Sequence, residues 1–108
     1  MLWAGSALAD LRRFPENARR RAGYQLRRLQ EGLEPGDWKP MPLLGAGVRE
    51  IRIRTGREHR ILYVTRFEEA IYVLHAFEKK TQRTARADLD LAKRRLSEVL
   101  RYRQLRRS

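Results

Sequence analysis

Three short segments rich in β-branched and aromatic residues follow one another in the middle of the chain, and they constrain the fold more than any other feature. They span Val48 to Arg54, Arg60 to Arg66 and Ala70 to Phe77. Residues of these types favour strands. Because the links "TGREH" and "FEE" are too short for a crossover helix, we predict three strands paired in antiparallel fashion.

The first of these segments, "VREIRIR", alternates arginine with isoleucine. Side chains on a strand point alternately to opposite faces, so Ile51 and Ile53 share one face and Arg52 and Arg54 share the other. The pattern predicts a sheet with one apolar face and one face that carries several cations.

Further cations stand at the ends of the neighbouring predicted strands. Arg60 opens the second strand, and Lys79 and Lys80 close the third, so hairpin pairing is expected to bring them toward the same region. Like charges on one face cost stability unless an anion or an acidic side chain neutralises them. Two interpretations stay open: a phosphate-binding face, or the solvated face of an antiparallel sheet.

Helical periodicity precedes the strands. Ser6 can cap a short helix that runs through Leu11, and Pro15 stands where a second helix begins, which ends near Gly32. Apolar residues recur at helical spacing along one face of the second helix: Ala18, Ala22, Leu26, Leu29 and Leu33. We therefore predict an N-terminal helical hairpin.

A last helix is predicted over residues 85–103, where the apolar residues Leu89, Ala92, Leu96 and Val99 share one side. Residues 34–47 hold three of the four prolines and predict a connection without regular structure, anchored by Trp38. Leu2 to Ala4 is a candidate edge strand. Helices segregated from an antiparallel sheet predict an α+β fold.

The length of the chain and its net charge indicate how many domains it has and what kind of partner it binds. The 108 residues predict a single domain spanning residues 1–108. Twenty-five lysines and arginines oppose 13 acidic residues, which gives a formal net charge of +12. A polyanionic partner is expected, because a basic protein gains affinity for nucleic acid by releasing counterions. A genome that favours arginine codons would explain the excess of arginine over lysine, but not the net charge.

Several classes of site are excluded by residues that the sequence lacks. It has no cysteine and only two histidines, so disulfides and a dedicated metal site are not expected. Serine occurs only at Ser6, Ser97 and Ser108, with no base beside any of them. No apolar run reaches the roughly 18 residues of a membrane span, and the first nine residues do not form a secretory signal, so we expect a cytoplasmic protein.

His75 and Phe77 have two interpretations. By strand alternation they share a face with Ile71 and Val73, which predicts that they lie in the core or at its edge. Alternatively, His75 transfers a proton and Phe77 stacks on an unpaired base. RNA suits a site made of cations, because its own 2′-hydroxyl can attack the adjacent phosphate while the protein stabilises the developing charge.

Five segments together resemble a known family. They are "LADLRRFPENARRRAGYQL", "DWKPMPLLGAGVREIRIR", "RILYV", "IYVLHAFEKKTQRT" and "DLDLAKRR", which cover roughly residues 2–98. They resemble the RelE/HigB toxins of bacterial type II toxin–antitoxin systems, in particular the phage-derived HigB-like branch of the RelE/ParE superfamily. The most specific part is "VLHAFEKKTQRT" following "GVREIRIR".

The resemblance implies a microbial-ribonuclease-like α+β fold, in which an N-terminal helical hairpin packs on a twisted antiparallel sheet with a C-terminal helix. It implies a ribosome-dependent mRNA endoribonuclease that cleaves mRNA in the A site by metal-independent 2′-hydroxyl attack, leaves a 2′,3′-cyclic phosphate and needs no cofactor. A cognate acidic antitoxin, with a helix-turn-helix domain, is the expected protein partner. The basic tail, about residues 102–108, is expected either to fray or to touch ribosomal RNA.

The resemblance also assigns roles to residues. Matched by motif, the catalytic cations are Arg52, Arg54, Arg60, Lys79 and Lys80. Members of the HigB type use a histidine, which points to His75. We also expect RNA contacts from Arg57, Phe77 and Arg83.

Three positions depart from the family pattern. Glu50 stands where RelE-like members carry an additional lysine, "KKTQRTARAD" lacks the tyrosine that stacks on mRNA in some members, and Ala85 replaces a proline. Arginine does not deprotonate in proteins, so the general base is either His75 or a lysine. Two alternative functions stay open: a ParE-like toxin that inhibits DNA gyrase by binding, and an inactive RNA-binding relative.

Overall fold

Five strands and three helices make up the computed structural model, which describes residues 1–107. The strands are β1 (Leu2–Trp3), β2 (Trp38–Pro40), β3 (Val48–Arg54), β4 (Glu58–Val64) and β5 (Tyr72–Lys79). The helices are α1 (Ala7–Arg12), α2 (Glu16–Gln30) and α3 (Arg86–Arg107). The α+β class and the helical hairpin are therefore confirmed.

All five strands belong to one sheet, in the order β1-β5-β4-β3-β2. The strands β2 to β5 pair in antiparallel fashion, as predicted, whereas β1 lies parallel to β5. The sheet is thus mixed, and the prediction of a purely antiparallel sheet is wrong at this edge. The reason is that the start of the chain runs alongside β5, with the amide of Leu2 donating to the carbonyl of Ile71 at 2.8 Å.

A second prediction, that residues 34–47 lack regular structure, is wrong. This segment contains the strand at the opposite edge of the sheet, β2. Trp38 pairs with Ile51 and Lys39 pairs with Glu50 on β3. The sequence does not predict this strand because it contains Pro40, and proline is unfavourable in most strands. An edge strand tolerates proline, because the proline nitrogen, which has no hydrogen to donate, can face away from the neighbouring strand.

The two faces of the sheet carry separate apolar cores. On one face, α1 and α2 cover a core that includes Ile51, Ile53 and Tyr63. On the other, α3 and the loop around Leu44 cover a core that includes Val64. Toward the end of β3 the arginines on this second face become more exposed: the Arg52 side chain is 28% exposed and the Arg54 side chain 58% exposed.

A β-bulge in β5 changes which face its residues occupy. Tyr63 pairs with Val73 and Leu62 pairs with His75, so Leu74 is an extra residue without a partner on β4. Val73 belongs to the core under α1 and α2. His75 and Phe77 lie beyond the bulge on the α3 face, so the expectation that they share a face with Val73 is wrong.

Smaller differences lie at the ends of elements. Ser6 precedes α1 but makes no capping bond to its backbone, because its hydroxyl donates to Asp10 and accepts from Arg95. Leu33 lies beyond α2 and is exposed. The predicted basic tail forms the last turns of α3 as far as Arg107, and its final residue, Ser108, lies outside the described residues.

Within residues 1–107, none of the helices combines the length and apolar character that crossing a membrane requires.

Candidate cationic site

We use the name cationic face for the α3 side of the sheet around the point where β3 ends and β4 begins. Residues directly opposite one another on neighbouring strands share a face, so the register assembles it in cross-strand rows. The rows are Arg54, Glu58 and Lys79; then Arg52, Arg60 and Phe77; then Lys39, Glu50, Leu62 and His75. The structure thus brings together most of the predicted catalytic residues.

Arg52 is held by an acidic residue of the loop before β2. Its Nε and Nη2 atoms lie 2.9 and 2.8 Å from the same carboxylate oxygen of Asp37. The backbone amide of Arg52 also donates to the carbonyl of Asp37 at 2.8 Å. The Arg52 side chain keeps 28% of its surface exposed, so it can still reach a ligand.

Arg60 lies beneath this surface, with only 2% of the residue exposed. Its Nη2 atom lies 2.9 Å from Oε2 of Glu58, and its Nε atom lies 3.4 Å from Oε1 of Glu50. Glu50 is itself 1% exposed, and Nζ of Lys39 approaches the same oxygen to 3.9 Å. The residue that departs from the family pattern, Glu50, is therefore the buried counter-charge of Arg60.

The most exposed cations of the face are Arg54, at the end of β3, and Lys39, on β2, whose side chain is 47% exposed. Arg54 keeps 58% of its side chain exposed and lies 3.4 Å from Glu58. Lys79, at the end of β5, and Lys80 have no ion-pair partner among residues 1–107. Arg83 is exposed in the turn that leads to α3. These side chains are the ones that an approaching anion would meet first.

Carboxylates neutralise most of the charge that the sequence predicted for this face. Asp37, Glu50 and Glu58 lie within 4 Å of the charged groups of Lys39, Arg52, Arg54 and Arg60. Acidic side chains can therefore stabilise the clustered cations without a bound phosphate. The stability of the face alone does not require an anionic ligand.

His75 is 5% exposed and makes one polar contact across to α3. Its Nε2 atom lies 2.7 Å from Oδ1 of Asp88, and its ring stacks on Phe77 with centroids 4.7 Å apart. Its Nδ1 atom is buried and has no hydrogen-bond partner within residues 1–107. Phe77 is 8% exposed and belongs to the α3 core, so both residues lie at the core edge, as one of the two interpretations predicted.

Arg57, one of the expected RNA contacts, lies in the turn between β3 and β4 and reaches toward the opposite face. It pairs with Glu78 at 3.5 Å, and Glu78 lies 3.8 Å from the buried ring of His59. His59 packs against Phe14 under the helical hairpin. Burial lowers the pKa of His59 below its ordinary value, while Glu78 opposes this shift and Arg57 adds to it.

Four residues of the site escaped the sequence-based assignment: Asp37, Lys39, Glu58 and Asp88. Lys39 was hidden by the prolines around it, although its position between Trp38 and Pro40 is that of the outward residue of a short strand. No signal in the sequence pairs Asp37 with Arg52 or Asp88 with His75, because both contacts depend on tertiary packing.

A comparison with models of protein families identifies the family of this chain. The family model described as Phage derived protein Gp49-like (DUF891) matches residues 9–97, which run from within α1 to the middle of α3. No curated protein matches the chain. The matched region includes every residue of the cationic face, and the chain therefore belongs to the phage-derived Gp49-like family, a family associated with the toxins of toxin–antitoxin systems.

Proposed function

We propose that the protein is a RelE/HigB-like toxin that cleaves mRNA in the ribosomal A site. One observation carries the proposal: three cross-strand rows put Arg52, Arg54, Arg60, Lys79 and His75 on the same face of the sheet. The association of its family with toxins supports the same function.

The proposed reaction needs no metal or cofactor. The 2′-hydroxyl of the mRNA attacks the adjacent phosphorus, the bond from phosphorus to the 5′-oxygen breaks, and a 2′,3′-cyclic phosphate and a 5′-hydroxyl result. Arg54, Arg52 and Lys79 contact the phosphate oxygens and stabilise the charge of the transition state. Arg60 acts from beneath through its charge, because it is 2% exposed.

The remaining residues of the site have supporting roles in this proposal. His75 transfers a proton, and Lys80, Arg57 and Arg83 contact the RNA backbone. Phe77 offers a base only an edge contact, since it is 8% exposed. The end of α3 contacts ribosomal RNA.

An acidic antitoxin with a helix-turn-helix domain is the proposed partner. A net charge of +12 favours fast association with an acidic protein. The rate of association should fall as salt is added, because salt screens long-range attraction.

Inducible expression with mapping of transcript ends tests the activity. We expect the wild type to stop growth and to produce new 5′ ends within coding regions. The variant Arg54→Ala/Lys79→Ala should lose both effects and still fold, because Arg54 is exposed and Lys79 is half-buried without an ion-pair partner among residues 1–107. Arg12→Ala/Arg27→Ala removes the same charge from exposed positions of α1 and α2 and should behave as the wild type. Growth arrest with intact transcripts would overturn the nuclease proposal.

One observation favours a second candidate, a ParE-like toxin that inhibits DNA gyrase by binding. Four cations of the face lie within 4 Å of carboxylates, and Arg60 is buried, an arrangement that also suits a face without catalysis. The same expression experiment separates the two functions: intact transcripts together with DNA-damage signalling would support the gyrase inhibitor. Survival at full expression would instead support an inactive RNA-binding relative.

A further inference from the structure

Helix α3 holds the bulge that places His75 on the cationic face. The carbonyl of the extra residue, Leu74, accepts a hydrogen bond from Nη1 of Arg95 at 2.9 Å. Arg95 is 7% exposed, and its Nη2 atom donates to Ser6 Oγ at 2.7 Å. Bulges re-aim the side chains that follow them and are common beside active sites. The contact with Arg95 therefore fixes the backbone from which the His75 ring projects.

The same helix also contacts the ring itself. Asp88 stands seven residues before Arg95, which is about two helical turns, so both side chains leave one face of α3. Oδ1 of Asp88 lies 2.7 Å from Nε2 of His75. The Asp88 side chain is 26% exposed and the His75 side chain is 7% exposed, so the contact lies largely out of water.

The contact with Asp88 determines which ring nitrogen is free. An ionised carboxylate can only accept hydrogen bonds, so Nε2 of His75 must carry a proton. In the neutral ring, Nδ1 is then the acceptor. Nδ1 is buried and has no hydrogen-bond partner within residues 1–107. Buried polar atoms nearly always have a partner, so Nδ1 is left to accept a hydrogen bond from a donor that the described residues do not supply.

We propose that Asp88 is a positioning residue for the cleavage reaction, which holds His75 in the tautomer whose Nδ1 accepts the proton of the attacking 2′-hydroxyl. The inference rests on the proposed function. As the proton moves to Nδ1, the 2′-oxygen forms its bond to phosphorus and the bond to the 5′-oxygen breaks. The 5′-oxygen leaves with a proton from water, and the imidazolium later returns its proton to the resulting hydroxide.

Nitrogen-15 NMR of the ring of His75, measured without RNA, tests the positioning directly. At about pH 8, where an ordinary histidine is neutral, the wild type should carry the ring proton on Nε2. Asp88→Asn has the same shape as the natural residue, but its amide can donate as well as accept. We therefore expect a mixture of tautomers in this variant.

Cleavage on the ribosome should respond in parallel. Asp88→Asn should slow it about a hundredfold or more, as expected when a general base is held in the wrong tautomer. The matched control is Asp90→Asn, which makes the same chemical change at an exposed position of α3 that, among residues 1–107, pairs with Arg86. The control should keep both the tautomer and the rate.

A wild-type proton on Nδ1 would overturn the inference, as would an unchanged tautomer and rate in Asp88→Asn. The proposed function can fail separately. If Asp88→Asn changes the tautomer but the wild type does not cleave mRNA, the nuclease proposal is wrong and the positioning of His75 by Asp88 stands.

Discussion

At the scale of single residues, the burial of Arg60 changes how its role must be tested. The resemblance assigns it to the phosphate, yet it lies between Glu50 and Glu58 and is nearly inaccessible. Removing one partner of a buried ion pair leaves an uncompensated charge in a poorly solvated place. A loss of activity in Arg60→Ala would therefore mix chemistry with unfolding.

We predict that Arg60→Ala lowers the free energy of unfolding by about 3–5 kcal/mol, because Glu50 then loses its buried counter-charge and keeps only the exposed Lys39 at 3.9 Å among residues 1–107. Removing both charges with Glu50→Gln/Arg60→Met should cost less than Arg60→Ala alone. Urea unfolding of the purified variants measures both values. Arg54→Ala is the comparison at an exposed cation, and we expect it to cost at most about 1 kcal/mol. Equal losses for Arg60→Ala and Arg54→Ala would contradict the buried pairing.

His59 gives a prediction about pH. Burial lowers its pKa in the folded protein, whereas in the unfolded chain it stays near an ordinary value of about 6.5. The unfolded state therefore binds the proton more readily, so stability is fully present above about pH 6.5 and is lost as the pH falls through the folded pKa. We expect urea midpoints to fall between about pH 7.5 and about pH 5.5. The fall should be smaller in His59→Gln, and an equal fall in that variant would contradict the assignment.

At the scale of elements, the loop before β3 depends on the absence of a side chain at Gly45. Its φ is +150°, and an added Cβ would collide with Cδ2 of Leu96 on α3. We expect Gly45→Ala to destabilise the protein by about 1–3 kcal/mol, because the collision and the backbone strain act together. Gly23, on the exposed side of α2 with no atom within 4 Å of an added Cβ, is the control.

Gly23→Ala should instead stabilise the protein by about 0.5–1 kcal/mol, because alanine favours a helix interior more than glycine does. Thermal unfolding of the two variants measures the difference. A stabilising Gly45→Ala would mean that the loop does not pack against α3 as described.

The elements also show what the sequence could and could not predict. Strand β3 has the predicted bounds because alternating isoleucine and arginine define both its type and its faces. Strands β4 and β5 begin and end about two residues from prediction, since turn residues such as Glu58 take part in pairing. The bulge at Leu74 left no signal, so the face of His75 was assigned wrongly. Local sequence patterns do not predict contacts between distant segments, such as the contact of Asp37 with Arg52.

At the scale of the whole molecule, the two faces of the sheet have different roles: one provides stability and the other carries the candidate site. One face is closed by α1 and α2 and forms the larger apolar core. The other carries the smaller apolar core under α3 and, beside it, the cationic face. Helix α3 contributes both to the core and to the site, because Leu96 and Val99 pack in the core and Asp88 contacts His75. This division explains how a chain of 108 residues can hold a stable core beside an exposed cluster of charge.

Cleavage of a defined mRNA on purified ribosomes, with identification of the product ends, tests the central claim most directly. We predict that the wild type leaves a 2′,3′-cyclic phosphate and a 5′-hydroxyl, and that Arg54→Ala/Lys79→Ala cleaves about a hundredfold or more slowly. Arg12→Ala/Arg27→Ala should cleave at the wild-type rate. Intact mRNA with the wild-type protein, or products with a 3′-hydroxyl and a 5′-phosphate, would contradict attack by the 2′-hydroxyl on the cationic face.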